Sequence, residues 1–293
     1  MTMVIMLMTL LATLGSGELT QAAAKIEVHG HRGARARLPE NTLPAFEYAL
    51  EAGADVLEMD LAVTSDKVLV ISHDPHVSKV ICVDAQGRPL ATEPLIHSLT
   101  LAEVKKFDCG TLKNPRFEMQ KPVPGTRIPT LEEVFELVKK SRNPNAHKIR
   151  FNIETKIFAD HPEYTVGPEE FSSLLMNVLK KHKMLSRSII QSFDFRTLVL
   201  MRKLNPKTVI SALVEKRSID MVEAATRLKA DIVSPDWELV TPELVDKLHA
   251  IKVQVAPWTA DTVESWKKLV DLKVDAIITD DPAGLIEFLS KRR

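Results

Sequence analysis

Beyond residue 25 the chain alternates short apolar runs with amphipathic stretches. The runs at 26–30, 56–63, 149–154, 188–191, 208–213, 231–234, 253–258 and 276–279 have the length and composition of buried strands. The stretches at 42–52, 130–140, 169–182, 194–204, 218–229, 241–251, 261–272 and 282–290 carry apolar residues at helical spacing. In the second of them Leu131, Val134, Phe135 and Val138 recur behind Thr130, which has the chemistry of an N-cap. Eight strands, each followed by a helix, predict an α/β fold, a closed (β/α)8 TIM barrel. A doubly wound open sheet has the same alternation, which fixes neither closure nor strand order, but the count favours the barrel.

One segment interrupts the rhythm. Residues 76–127 are long, rich in Pro and Gly, and fall between the second strand and its helix. A short extra strand at 68–72 precedes them, after a Ser65-Asp66-Lys67 turn. Insertions of this length in compact domains are usually lids or substrate-facing loops. No repeat or linker divides the chain, so residues 25–293 are expected to form one domain.

The first 24 residues follow another rule. Met3 to Leu14 is an apolar run too short to span a bilayer comfortably, followed by Gly15-Ser16-Gly17 and then Gln21-Ala22-Ala23-Ala24. Small residues at 22 and 24 fit a signal-peptidase site, so 1–24 reads as a secretory signal and the mature chain as periplasmic or secreted, without a stable membrane span. Against this, no Lys or Arg precedes the run; an uncleaved anchor or a misassigned start are the alternatives. In an oxidising compartment Cys82 and Cys109 could pair; otherwise they are two small buried side chains. Neither has C-x-x-C spacing, which argues against zinc. Lys+Arg and Asp+Glu both number 39, so total charge offers no argument for a nucleic-acid partner.

The chemistry gathers at strand ends. The first strand closes on His29-Gly30-His31-Arg32-Gly33, the second holds Glu58-Met59-Asp60, Ser72-His73-Asp74 follows, and the third ends Glu154-Thr155-Lys156. Glu58 and Asp60 are two apart on a strand, so both leave one face, roughly 6.5 Å apart along it. Two carboxylates aimed into one apolar-walled space repel unless protons or a cation intervene. A hard divalent cation, Ca²⁺ or Mg²⁺, suits all-oxygen ligands, and Glu154 on the next strand is the natural third. The competing reading pairs Glu58 and Asp60 with Arg32 and Lys156 as buried salt bridges. His31 and His73 are the candidate acid and base. Arg32 offers a planar fork matched to a phosphate. Neither a phosphate-binding glycine loop nor a G-x-S-x-G elbow occurs. Spacing therefore reaches a metal-assisted hydrolase or lyase and stops short of a substrate.

Five motifs carry a family likeness. His31-Arg32-Gly33, Pro39-Glu40-Asn41-Thr42, Glu58-Met59-Asp60, His73-Asp74 and Glu154-Thr155-Lys156, together with Ile128–Val134, resemble the glycerophosphodiester phosphodiesterase family in its order, from about residue 27 to the end. The resemblance implies a TIM barrel, a divalent cation and hydrolysis of small glycerophosphodiesters to glycerol 3-phosphate and an alcohol. Carried over by position, Glu58, Asp60 and Glu154 bind the metal, His31 and His73 act as acid and base, and Arg32 and Lys156 hold the phosphoryl oxygens. Glu40 and Asn41 lie at the edge of the site or serve only to cap the helix at Thr42. Gln191 and Trp258 resemble family positions at the fourth and late strands, although Thr259-Ala260-Asp261 departs from the family's usual Thr-Val-Asn. Two rivals are a phospholipase-type phosphodiesterase or lyase acting on lysophospholipids, and a non-catalytic binding protein.

Overall fold

A computed structural model describes residues 25–292; the signal-like segment 1–24 lies outside the described residues. Parallel strands β1 (Glu27–Gly30), β2 (Val56–Val63), β4 (Arg150–Thr155), β5 (Ser188–Ser192), β6 (Val209–Val214), β7 (Ile232–Pro235), β8 (Gln254–Val255) and β9 (Ala276–Thr279) form the sheet. Strand β3 (Leu69–Ile71) pairs antiparallel with β2 at its end. The order runs β8-β7-β6-β5-β4-β2-β1-β9. Backbone hydrogen bonds from Asp275 to Val255 (3.0 Å) and from Ile278 to Pro257 (2.9 Å) bring the two edges together. The fold is thus the expected TIM barrel, nearly closed at the β8–β9 seam.

The eighth-strand pattern at 253–258 yields only a two-residue β8, because Pro257 has no N–H to give the ladder. Its neighbours still bond: Ala256 N–H donates to Val233 and Trp258 N–H to Pro235. The helices are α1 (Leu43–Ala52), the one-turn α2 (Leu101–Val104), α3 (Leu131–Lys140), α4 (Pro168–His182), α5 (Phe195–Leu204), α6 (Met221–Leu228), α7 (Pro242–Ala250), α8 (Val263–Asp271) and α9 (Pro282–Ser290). Most start where a short polar side chain takes an orphan amide. Thr42, Thr130, Thr241 and Thr262 do so by hydroxyl, Asp194, Asp220 and Asp281 by carboxylate. At α3 the exchange is reciprocal: Glu133 reaches back to the Thr130 amide. The main core lies between barrel and helices, with Phe46, Phe135, Phe151 and Phe171 fully buried and Phe135 edge-on to Phe151. Each such side chain contributes about 1.5–3 kcal/mol of apolar burial.

The segment between β3 and α3 has a smaller core of its own, in which Val77, Ile96, Val104 and Ile128 surround Cys82 and Cys109. The two cysteines form a disulfide. Asp108 beside it accepts hydrogen bonds from the amides of Gly110, Thr111 and Gly125, which tightens the loop onto itself.

Candidate active site

Strand register builds the site. Asp60 lies opposite Glu154, and Glu154 opposite Gln191; one step down, Glu58 lies opposite Asn152. All of these side chains are buried, and carboxylate oxygens of Glu58, Asp60 and Glu154 come within 4.8 Å of one another. The alternation that placed Glu58 and Asp60 on one face therefore holds in three dimensions.

Each carboxylate is held separately. Glu58 accepts the backbone N–H of Arg32 at 2.8 Å and the Gln191 amide at 2.7 Å; Gln191 in turn accepts from Asn152 at 2.8 Å. Asp60 accepts from the Asn41 amide at 2.8 Å, with Arg32 Nε at 3.4 Å and Lys156 Nζ at 3.2 Å. Lys156 Nζ also lies 2.7 Å from Glu154. The salt-bridge alternative thus describes Asp60 but not Glu58, which has no ion pair with Arg32 or Lys156 side chains. Gln191 thus has both ends engaged, its amide on Glu58 and its carbonyl on Asn152.

The turn after β1 is forced by sterics. Arg32 has φ 49° and Gly33 φ 84°, and a Cβ on Gly33 would sit 2.7 Å from the Ala45 carbonyl carbon, so only glycine fits. That turn aims the Arg32 amide at Glu58 and its guanidinium at Glu40, 2.6 Å away. Glu40 therefore touches the site through Arg32, while Thr42 does the helix capping. Asn41, at φ 56°, reaches Asp60 directly.

His31 Nδ1 meets Asp280 at 2.6 Å, and its Nε2 faces Glu58 at 3.9 Å. Asp280 is gripped by Arg35 through two hydrogen bonds of 3.0 and 2.8 Å. His73 sits at the mouth with its side chain 35% exposed and Nδ1 2.8 Å from Asp74. Both imidazoles line one cleft of about 500 Å³ with Glu58, Glu154, Lys156 and Gln191. On its far side stand Trp258, whose indole N–H donates to Ser234 O, and Phe193, edge-on to that ring.

Burial dominates the electrostatics. It pushes the His31 imidazole down to about 4, against the attraction of Asp280, so the ring is neutral near pH 7. Burial and the neighbouring Asp60 hold Glu58 well above the ordinary carboxyl range. Burial likewise lifts Glu154 to about 7, opposed by Lys156 and helped by Asp60. Burial works against ionised Asp60 too, yet Lys156, His73, Arg32 and His31 together hold it well below its usual value. A cluster that strains to keep its charge is one that a cation would relieve. Asp60 Oδ1 is buried without a well-aligned hydrogen bond, and the donor set is all oxygen, so these residues fit a hard divalent ion.

Arg35, Asp280 and Arg116 escape a reading of the sequence, the last lining the cleft from the insertion beside Phe117. Asp280-Asp281 directly after the last strand is a signal for Asp280, since barrel sites sit at the C-terminal strand ends. Nothing local marks the others.

The chain matches the profile of the "Glycerophosphoryl diester phosphodiesterase family" over residues 31–284. It is 34% identical over 268 residues to a glycerophosphodiester phosphodiesterase of Caldanaerobacter subterraneus, covering 91% of this chain and 99% of that one. A solved structure from Silicibacter pomeroyi superposes with a TM-score of 0.86 at 27% identity, covering 92% and 94%. A phosphodiesterase from Oleispira antarctica, solved with the product sn-glycerol 3-phosphate, shares the fold at a TM-score of 0.73 and 23% identity, covering 90% and 96%.

Proposed function

Because the chain belongs to the glycerophosphoryl diester phosphodiesterase family, we propose that this cleft hydrolyses glycerophosphodiesters to glycerol 3-phosphate and an alcohol by two-histidine acid–base catalysis with a divalent cation. One observation carries the proposal: three buried carboxylates face one another between two cationic side chains and two imidazoles.

Glu58, Asp60 and Glu154 would hold the cation, Ca²⁺ or Mg²⁺. Bound there, it would neutralise charge on the phosphoryl oxygens. Arg32 and Lys156 bind the same oxygens from the protein side; their cationic ends border the cluster at Asp60. Asp280 accepts a hydrogen bond from His31 Nδ1–H, which leaves the Nε2 lone pair facing the cleft. His31 then takes the proton of the attacking oxygen, from water or from the neighbouring glycerol hydroxyl. As the bond from phosphorus to the departing alcohol breaks, His73 at the cleft mouth gives its proton to the alkoxide. With water as the attacker the products form directly. If the glycerol hydroxyl attacks, the resulting cyclic phosphate is opened by a water in a second step with the histidine roles reversed, so one water is consumed per ester cleaved by either route. Gln191 keeps Glu58 in register, Glu40 steers Arg32, and Trp258 offers a flat apolar wall to the substrate's carbon skeleton.

Export fits the same reading: residues 1–24 have the pattern of a secretory signal, and a disulfide belongs to an oxidising compartment. Cell fractionation tests that point. The reaction is tested by incubating glycerophosphocholine with the protein under EDTA, Ca²⁺ or Mg²⁺ and identifying both products. Glycerol 3-phosphate and choline, formed with metal and lost with EDTA, are expected. Full activity in EDTA, or phosphocholine and glycerol as products, would contradict the proposal.

A further inference from the structure

The segment 114–120 of the insertion touches the site along two routes, neither of which involves a direct contact with the carboxylate cluster. On the first, the Arg35 guanidinium lies over the Phe117 ring, 4.9 Å from its centroid, while Arg116 lies 5.9 Å away. Arg35 is the residue that grips Asp280 twice, and Asp280 holds His31 Nδ1 at 2.6 Å. On the second, the buried Gln120 amide donates to the backbone carbonyls of Arg35 (2.7 Å) and Leu38 (3.2 Å). Its carbonyl accepts the Asn114 N–H at 2.8 Å, and the Asn114 amide reaches Glu40 at 3.4 Å. Glu40 is the side chain that aims Arg32. A further backbone bond, Lys121 N–H to Arg37 O at 2.9 Å, fastens the same two loops together.

Gln120 is only 3% exposed and Asn114 8%, although both belong to an irregular surface excursion. Buried amides with every polar end engaged lock the pieces they join into one arrangement. What they join is the insertion and the β1–α1 turn, which carries Arg32, Arg35, Glu40 and Asn41.

We propose that residues 114–120 are a positioning element for the reaction: Phe117 sets His31 through Arg35 and Asp280, while Gln120 and Asn114 set Arg32 through the β1–α1 turn and Glu40. The inference rests on the roles given above to His31 and Arg32. Misplacing a reacting group by about 1 Å from a distance can cost on the order of 10²-fold in rate, so a loop outside the barrel can govern turnover.

The two routes predict different kinetics on glycerophosphocholine. Phe117→Leu keeps an apolar side chain but removes the ring beneath Arg35; kcat is expected to fall about tenfold with KM within about twofold. Phe117→Tyr keeps the ring and is expected to restore kcat to within about twofold. Asn114→Asp sets a carboxylate against Glu40 and should raise KM about five- to tenfold, with a smaller change in kcat. Gln120→Met removes both donors at nearly constant length and should do both. Should Gln120→Met fail to fold, the Phe117 pair decides alone. Phe117→Leu and Asn114→Asp within about twofold of wild type in both constants would overturn the proposal, as would Phe117→Tyr no better than Phe117→Leu. His31→Ala is run beside them: if it stays active, the roles underneath fail, whereas an inactive His31→Ala with fully active loop variants sinks only the positioning inference.

Discussion

Replacing Asp280 by Asn tests the His31 assignment with the smallest change of shape. The carboxylate has one oxygen at His31 Nδ1, 2.6 Å, and both oxygens on Arg35, at 3.0 and 2.8 Å. An amide cannot serve all three. With its NH₂ toward His31, it forces Nδ1 to accept, so the ring proton moves to Nε2 and the lone pair facing the cleft disappears. With its NH₂ toward Arg35, it sets donor against donor and gives up a charge-assisted bond. Such a bond contributes about 1.5–3 kcal/mol, and loss of a working base costs about 10²–10⁴-fold. The expected fall in kcat/KM is therefore about 10²–10⁴-fold, or about 2.7–5.4 kcal/mol in the barrier. The pH profile has a definite sign. His31 must be unprotonated to act, and its value of about 4 already reflects burial outweighing the lift from Asp280. Removing that lift lowers the value further, so the acidic limb of kcat/KM moves to lower pH while the plateau drops. Steady-state assays on glycerophosphocholine between pH 4 and 9 decide it. A plateau within about threefold of wild type, or an acidic limb displaced upward, would refute the reasoning.

Two predictions concern the scaffold. The Cys82–Cys109 bridge closes a separation of 27 residues, so Cys82→Ala/Cys109→Ala should lower unfolding stability by about 3.5 kcal/mol on the chain-entropy account, read from urea denaturation; a loss under about 0.5 kcal/mol would show that the bridge constrains little. Phe135 is fully buried, with its ring 4.9 Å from Phe151, and Phe135→Ala should cost about 3–5 kcal/mol by the same measurement; a loss below about 1 kcal/mol would mean that the α3–barrel contact collapses around the gap.

The barrel was legible because its strands and helices announce themselves locally. Period-two spacing put Glu58 and Asp60 on one face, and register then delivered Glu154 and Gln191 alongside them. Thr130 marked the start of α3, and the reciprocal bond from Glu133 completes that cap within four residues. The same logic fails wherever the partner is remote. Arg35 lies in an irregular turn and meets Asp280 at the opposite end of the chain. Asp280 and Asp281 look alike in sequence, yet the first holds His31 while the second caps α9 and pairs with Arg37. Gln120 and Asn114 look like ordinary polar loop residues until the fold buries them. The short β8 is a local failure of another kind: a strand-like run in which Pro257 withholds the donor that the ladder requires.

The central claim is that two imidazoles across one cleft exchange protons with a glycerophosphodiester. It is tested most directly by measuring glycerol 3-phosphate release from glycerophosphocholine, in saturating Ca²⁺ or Mg²⁺, by wild type, His31→Ala and His73→Ala. Each variant is expected to lose about 10²–10⁴-fold in kcat/KM while remaining folded by circular dichroism. Both variants staying within a few-fold of wild type would contradict the account.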